Sequence, residues 1–134
     1  TYSALSRGRP TRKPWRSPVR TPLARPAEAM YFIFEVRIKD GYRAEDYASV
    51  WLRASKLIQR SPGARGTRLH RKVDDPSVLL AIATWESKEA RDAMEEELAQ
   101  GIADLIDSQS DYVDIRLIGE FEAPEWEVLP PDQA

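Results

Sequence analysis

The chain is predicted to be an α+β protein with elements in the order βαββαβ. Three observations predict it. Period-two alternation of apolar residues opens and closes the body of the chain. Helical spacing occupies two stretches between. Two junctions, Ser61-Pro62-Gly63-Ala64-Arg65-Gly66 and Trp85-Glu86-Ser87-Lys88-Glu89-Ala90, flank a candidate β-hairpin and join it to the helical stretches. Successive side chains of a strand point to opposite faces, whereas helix neighbours recur every three to four residues, so the change of period marks each boundary.

The first strand starts at Met30, where Phe32, Phe34, Val36 and Ile38 alternate with Ile33, Glu35 and Arg37. Asp40-Gly41 supplies the turn that ends it. Over residues 43–60, Tyr47, Val50, Trp51, Ala54, Leu57 and Ile58 fall at helical spacing, and Pro62-Gly63 stops the helix. Residues 65–73 form the second strand, with Thr67, Leu69, Arg71 and Val73 on one face and Arg68, His70 and Lys72 on the other. Residues 74–77 are predicted as a turn and Val78–Trp85 as a strand that is apolar on both faces, hence central. Ser87 is placed to cap the second helix, and Gly101 is expected to interrupt it. Tyr112–Phe121 is the fourth strand, with Val113, Ile115, Leu117 and Phe121 on one side and Asp114, Arg116 and Ile118 on the other.

A βαββαβ unit of this kind is ferredoxin-like: a four-stranded antiparallel sheet, expected in the order 4-1-3-2, with both helices on one face. The helix-free face then carries Ile33, Glu35, Arg37, Arg68, His70, Asp114 and Arg116. It is too mixed for a dry core and too apolar for open water. Packing it on the same face of a second copy gives the expectation of a homodimeric α/β barrel that encloses a small-molecule cavity.

Composition bounds the chemistry. Cys is absent from the 134 residues and His occurs once, so thiolate catalysis is excluded and no metal site is expected. No apolar run approaches the roughly 20 residues that cross a bilayer, and no apolar leader opens the chain. The expectation is a cytoplasmic protein without a membrane partner. Charge is split along the chain. Residues 1–29 hold seven basic side chains against Glu28 alone, while the other 105 residues hold 13 basic and 21 acidic. Pro10, Pro14, Pro18, Pro22 and Pro26 recur every fourth residue, which forbids a helix and favours an extended or disordered arm. A leader preceding a start at Met30, a docking arm, a nucleic-acid-binding arm and an organellar transit peptide all fit that composition. The acidic body argues against nucleic acid. Residues 30–121 are the expected domain, and 122–134 an acidic tail whose Trp126, Val128 and Leu129 are expected to pack.

Residues 30–121 resemble the antibiotic biosynthesis monooxygenase domains of the dimeric α/β-barrel superfamily. The likeness rests on the first strand ending in Asp40-Gly41, the Trp51 helix, Ser61-Pro62-Gly63 leading to Gly66 and Leu69, and Trp85-Glu86-Ser87-Lys88-Glu89-Ala90. It implies oxidation of a small phenolic or enolisable compound by dioxygen with no cofactor, the substrate anion itself activating oxygen. Relatives implicate Asn, Trp, Tyr, His and Arg side chains. The haem-degrading branch uses an Asn on the first strand, a Trp before the second helix and a His within that helix. Only Trp85 matches, and the chain contains no Asn, so haem degradation is not expected.

On that footing the candidate catalytic residues are His70, as base toward a phenol, and Arg37 and Arg116, as holders of the resulting anion. The candidate substrate-binding residues are Trp85, Glu35 and Ile33. Each has a structural alternative. His70 suits an ordinary polar face, Arg37 and Arg116 suit a salt-bridge lattice with Glu35 and Asp114, and Trp85 suits a core aromatic at the sheet–helix junction. Tyr47 and Trp51 read as core, and Glu95-Glu96-Glu97 as a solvated helix run. A small-ligand-binding or purely structural dimer with the same barrel is the alternative function.

Overall fold

The computed structural model describes residues 29–131. Apart from Ala29, the basic arm expected over residues 1–29 lies outside them. Within the compact unit Glu28–Glu122, the elements are β1 (Met30–Ile38), α1 (Ala44–Ile58), β2 (Ala64–Lys72), β3 (Asp75–Trp85), α2 (Lys88–Gln109) and β4 (Val113–Glu122). The four strands form one antiparallel sheet in the order β2-β3-β1-β4. This is the expected α+β ferredoxin-like fold, with β3 in the interior of the sheet as its two apolar faces require.

Register explains the core. Val36 pairs with Leu79 and Met30 with Trp85, so the even-numbered positions of β1 and the odd-numbered positions of β3 share the helix-covered face. Val36 and Trp85 are the most deeply buried large side chains. Two clusters fill the layer. One joins Val36, Ile38, Ala44, Tyr47, Leu79 and Val113; the other joins Met30, Trp85 and Met94, with Phe32, Ile58 and Leu98 packed around them. α1 opens without a side-chain cap, but Glu45 and Asp46 in its first turn suit the positive end of its dipole. α2 is capped as predicted, with the Ala90 amide donating to Ser87 Oγ at 3.1 Å.

The structure corrects several sequence expectations. α2 runs unbroken for 22 residues through Gly101. A glycine inside a helix costs only about 1 kcal/mol relative to alanine, and the Leu98 and Ile102 contacts on either side hold the helix together. The hairpin turn is Val73-Asp74, not 74–77, and β3 starts at Asp75. Val73 therefore leaves the strand face and is almost fully exposed. Residues 75–77 overhang the end of β1, whose last partner is Val78, and a register break falls beside them in β2. Pro76 is tolerated there because a bulged overhang does not require its missing N–H.

On β4, Ile33 pairs with Gly119 but Phe34 pairs with Leu117, which leaves Ile118 as a bulge. One extra residue inverts the alternation beyond it. Phe121 thus lies beside Tyr31 on the helix-free face rather than with Leu117. Glu120 moves to the helix side, where Lys88 Nζ approaches it at 3.2 Å and an Arg91 guanidinium nitrogen at 3.8 Å. In the tail, Trp126, Val128 and Leu129 are exposed.

The two junctions meet at one end of the sheet. Glu86 N donates to the Gly63 carbonyl at 2.8 Å. Gly63 has φ +88°, and a Cβ placed there would lie 2.5 Å from the Ala90 Cβ. Gly41 has a similar φ of +89° but open space around it. Urea denaturation separates the two causes: Gly41→Ala is expected to lose about 1–2 kcal/mol for the left-handed backbone alone. Gly63→Ala is expected to lose about 2–4 kcal/mol, because overpacking against α2 adds to that cost. Equal losses would show that the approach to Ala90 relaxes freely.

Candidate functional site

The helix-free face is built row by row across the sheet. One row runs His70 (β2), Leu80 (β3), Glu35 (β1) and Arg116 (β4). The next runs Arg68, Ile82, Ile33 and Gly119. Arg37 lies two residues from Glu35 on the same face, between Val78 and Asp114. Ile33, Leu80 and Ile82 are partly buried even in a single chain.

Glu35 is the hub of this face. Its Oε1 accepts from Arg116 Nε at 3.2 Å and lies 3.5 Å from Arg37 Nε. Its side chain is 13% exposed, whereas those of Arg37 and Arg116 are 60% and 68% exposed. Asp114 faces Arg37 in register, yet its ion pair is with Lys39 at 3.8 Å. Two guanidinium groups thus share one carboxylate, a local surplus of one formal positive charge at Glu35 itself, with Asp114 opposite Arg37 in the ladder and Asp75 also within reach of the Arg37 charge.

Sequence-predicted residues fall into three places. Glu35, Arg37, Arg116 and Ile33 come together. His70 shares their face and is exposed, but Leu80 separates it from Glu35. Two strand spacings put it roughly 10 Å from Glu35 and three put it roughly 14 Å from Arg116 along the row. Trp85 lies on the opposite face. It is 1% exposed and packed with Met30 and Met94 under α2.

Other polar features involve none of the six predicted site residues. Arg91 stacks its guanidinium 3.8 Å from the centre of the Phe32 ring, pairs with Glu95 and Glu120, and leaves its buried Nε without a partner. Hydrogen bonds to Asp92 and then Glu120 raise the pKa of Lys88 above its ordinary value. Together Lys88 and Arg91 tie α2 to β4. The only hint of this in the sequence is the i, i+4 spacing of Arg91 and Glu95 and of Lys88 and Asp92. A pocket of about 380 Å³ opens on the helix-covered side, between the start of α1 and the end of α2. Tyr47 lines it, and burial pushes the Tyr47 phenol up to about 12. Among the described residues, no group of His, Cys, Asp and Glu side chains is arranged to hold a metal ion. No helix among them is long and apolar enough to cross a membrane.

Fold and face define a ferredoxin-like sheet protein with one helix-covered surface and one surface of mixed charge and apolar area. The antibiotic biosynthesis monooxygenase family model matches residues 29–101, and the chain belongs to that family. Among solved structures it is similar to SnoaB, a cofactor-independent oxygenase from Streptomyces nogalater. That likeness has 23% identity and a TM-score of 0.63 and covers 78% of this chain and 99% of SnoaB. A Nitrosomonas europaea protein provisionally assigned as an antibiotic biosynthesis monooxygenase aligns at 14% identity and a TM-score of 0.61, over 75% of this chain and 95% of its own. Protein SO0527 from Shewanella oneidensis aligns at 13% identity and a TM-score of 0.57, over 72% and 92%. No curated protein matches the chain.

Two measurements check this geometry. Glu35→Gln is expected to lower stability by about 1 kcal/mol or less in urea, because the arginines are mostly exposed; a loss of several kcal/mol would show them buried. An absorbance titration of the five tyrosines is expected to show one ionising near 12. Since the folded value lies above the unfolded one, the stabilisation is fully present below the ordinary tyrosine pKa near 10 and is lost as pH rises through about 12. Tyr47→Phe should remove the late-titrating group and that part of the alkaline loss.

Proposed function

We propose that this protein is a cofactor-independent monooxygenase-like enzyme acting on a small phenolic or enolisable ring compound. The helix-free face binds the compound, and a second copy of the chain packed face to face encloses it in a homodimeric barrel. The observation that carries this reading is the surplus guanidinium charge of Arg37 and Arg116 around Glu35, set beside partly buried Ile33, Leu80 and Ile82. Apolar area holds the ring, and the unneutralised charge favours its anion over its neutral form.

A ring lying over Leu80 has the His70 imidazole toward one end and the two guanidinium groups toward the other. His70 accepts the proton, and Arg37 and Arg116 hold the enolate or phenolate. The anion transfers electrons to dioxygen far more readily than the neutral ring does. A ring CH2 then becomes C=O, with one oxygen atom entering the carbon and the other leaving as water. The substrate supplies all the electrons, so the balance needs neither flavin nor metal. Trp85 contributes from behind the sheet, fixing the end of β3 under α2.

A ligand-binding dimer without catalysis is the second reading. It is favoured by the ion pairs of both arginines with Glu35, which an anionic substrate has to share. Oxygen uptake with phenols, hydroquinones and anthrones decides between them. The enzyme reading expects saturable uptake with at least one anthrone or hydroquinone, and a loss of about 100-fold or more in His70→Ala, the usual worth of a positioned base. Undiminished turnover in His70→Ala removes that residue from the chemistry. Binding without uptake supports the second reading. Light scattering is expected to give twice the 15.3 kDa chain mass, falling to one chain mass in Ile82→Asp. A monomeric parent protein would remove the enclosed site.

A further inference from the structure

The pocket between the start of α1 and the end of α2 belongs to neither reading of the helix-free face. It lies beside Ile38, at the far end of β1 from the Met30–Trp85 pair. Eight residues of extended chain put it about 26 Å from that pair. Its floor is apolar, from Ile38, Val50 and Val113. Tyr42 and Tyr112 form an edge-to-face pair at one wall, with ring centres 4.8 Å apart.

Two buried polar side chains are left without work inside it. Tyr47 is 7% exposed and Gln109 is 9% exposed. Among the described residues the Tyr47 hydroxyl has no hydrogen-bond partner, and the Gln109 carboxamide makes one long contact, from Nε2 to Ser108 Oγ at 3.4 Å. Neither is among the sealed-off, unpartnered atoms, which among the described residues are represented by Arg91 Nε alone. Both therefore retain accessible surface, and both line this pocket. The Tyr47 hydroxyl and Gln109 Oε1 are therefore open to solvent, and an occupant's hydroxyl replaces that solvent contact with hydrogen bonds in an apolar surrounding, where such bonds are stronger.

We propose that this pocket is a second binding site, for a neutral mono- or bicyclic phenol. The volume lies in the range of small-molecule sites. Tyr42 and Tyr112 offer an aromatic wall for a ring. The ligand hydroxyl accepts from Tyr47 Oη–H and donates to Gln109 Oε1, which satisfies one donor and one acceptor at once. Charge selects the neutral form. Arg43 and Asp46 at the rim lie 3.9 Å apart and offset one another, and the interior holds only neutral groups. Tyr47 stays protonated far above neutral pH. A phenolate finds no uncompensated cation here, in contrast to the surplus at Glu35. The site stores or delivers the protonated ring and cannot activate it.

The test uses the full chain with 2-naphthol and 2-naphthoate in equilibrium dialysis near neutral pH. One naphthol per chain is expected to bind here, beyond any held at the helix-free face and counted in the Ile82→Asp variant that lacks that enclosed site, with naphthoate at least tenfold weaker there. Tyr47→Phe and Gln109→Leu should each weaken naphthol by about threefold to tenfold, the usual worth of one hydrogen bond. Val50→Trp, which fills the floor, should abolish binding and leave any oxygen uptake intact. His70→Ala should leave naphthol binding unchanged, which separates this site from the helix-free face. Circular dichroism checks that each variant is folded; if Val50→Trp is not, the two polar variants decide. Absence of naphthol binding overturns the proposal. So does binding indifferent to Tyr47→Phe and Gln109→Leu, binding lost in His70→Ala, or naphthoate binding as tightly as naphthol.

Discussion

Coverage of one sheet face by both helices is the constraint on which everything else rests. A strand residue has only two directions to point. Here one leads into a packed layer of Val36, Leu79, Trp85 and Met94, and the other leads away from both helices. The parity of a residue's position thus decides its chemistry before its identity does. Glu35 and Val36 are neighbours in the chain, yet one gathers two arginines and the other is wholly buried. Electrostatics follows the same division. Surplus positive charge lies on the bare side at Glu35, while the helix side keeps Lys88 and Arg91 matched against Glu95, Asp92 and Glu120.

Much of this was legible from residue order. The alternation of Phe32, Phe34 and Val36, the helical spacing of Tyr47 and Trp51, and Ser87 as cap all act locally, and local signals survive into the fold. The interior position of β3 was legible as well, because the strand that runs apolar at nearly every position here is one hydrogen-bonded along both edges. Gly101 misled because helix propensity is a weak preference that packing by Leu98 and Ile102 overrides. The start of β3 misled because Asp74-Asp75-Pro76-Ser77 carries turn composition, whereas the two-residue turn falls one position earlier and Pro76 occupies an overhang.

The candidate sites were legible only in part. Which face His70, Glu35, Arg37 and Arg116 share follows from parity alone. The ion pairing at Glu35 and the interposed Leu80 depend on register, which strand composition does not specify. Trp85 could not be separated from the others by composition, since an aromatic at a strand end suits either face. The Tyr42–Tyr112 pair joins residues seventy positions apart in the chain, brought together where Lys39 N donates to the Tyr112 carbonyl at 2.8 Å. No local pattern announces such a contact.

The bulge at Ile118 sets the phase of everything that follows it on β4. Deleting that single residue would only straighten the strand, since Leu117 would stay opposite Phe34 and Gly119 opposite Ile33. Drawing it into the ladder opposite Ile33 would instead slip every later residue by one partner and exchange the two sides from Gly119 onward. Phe121 would swing toward the helices, and Glu120 would abandon Lys88 and Arg91 for the opposite face. Keeping one residue out of the pairing is thus what fastens α2 to its edge strand.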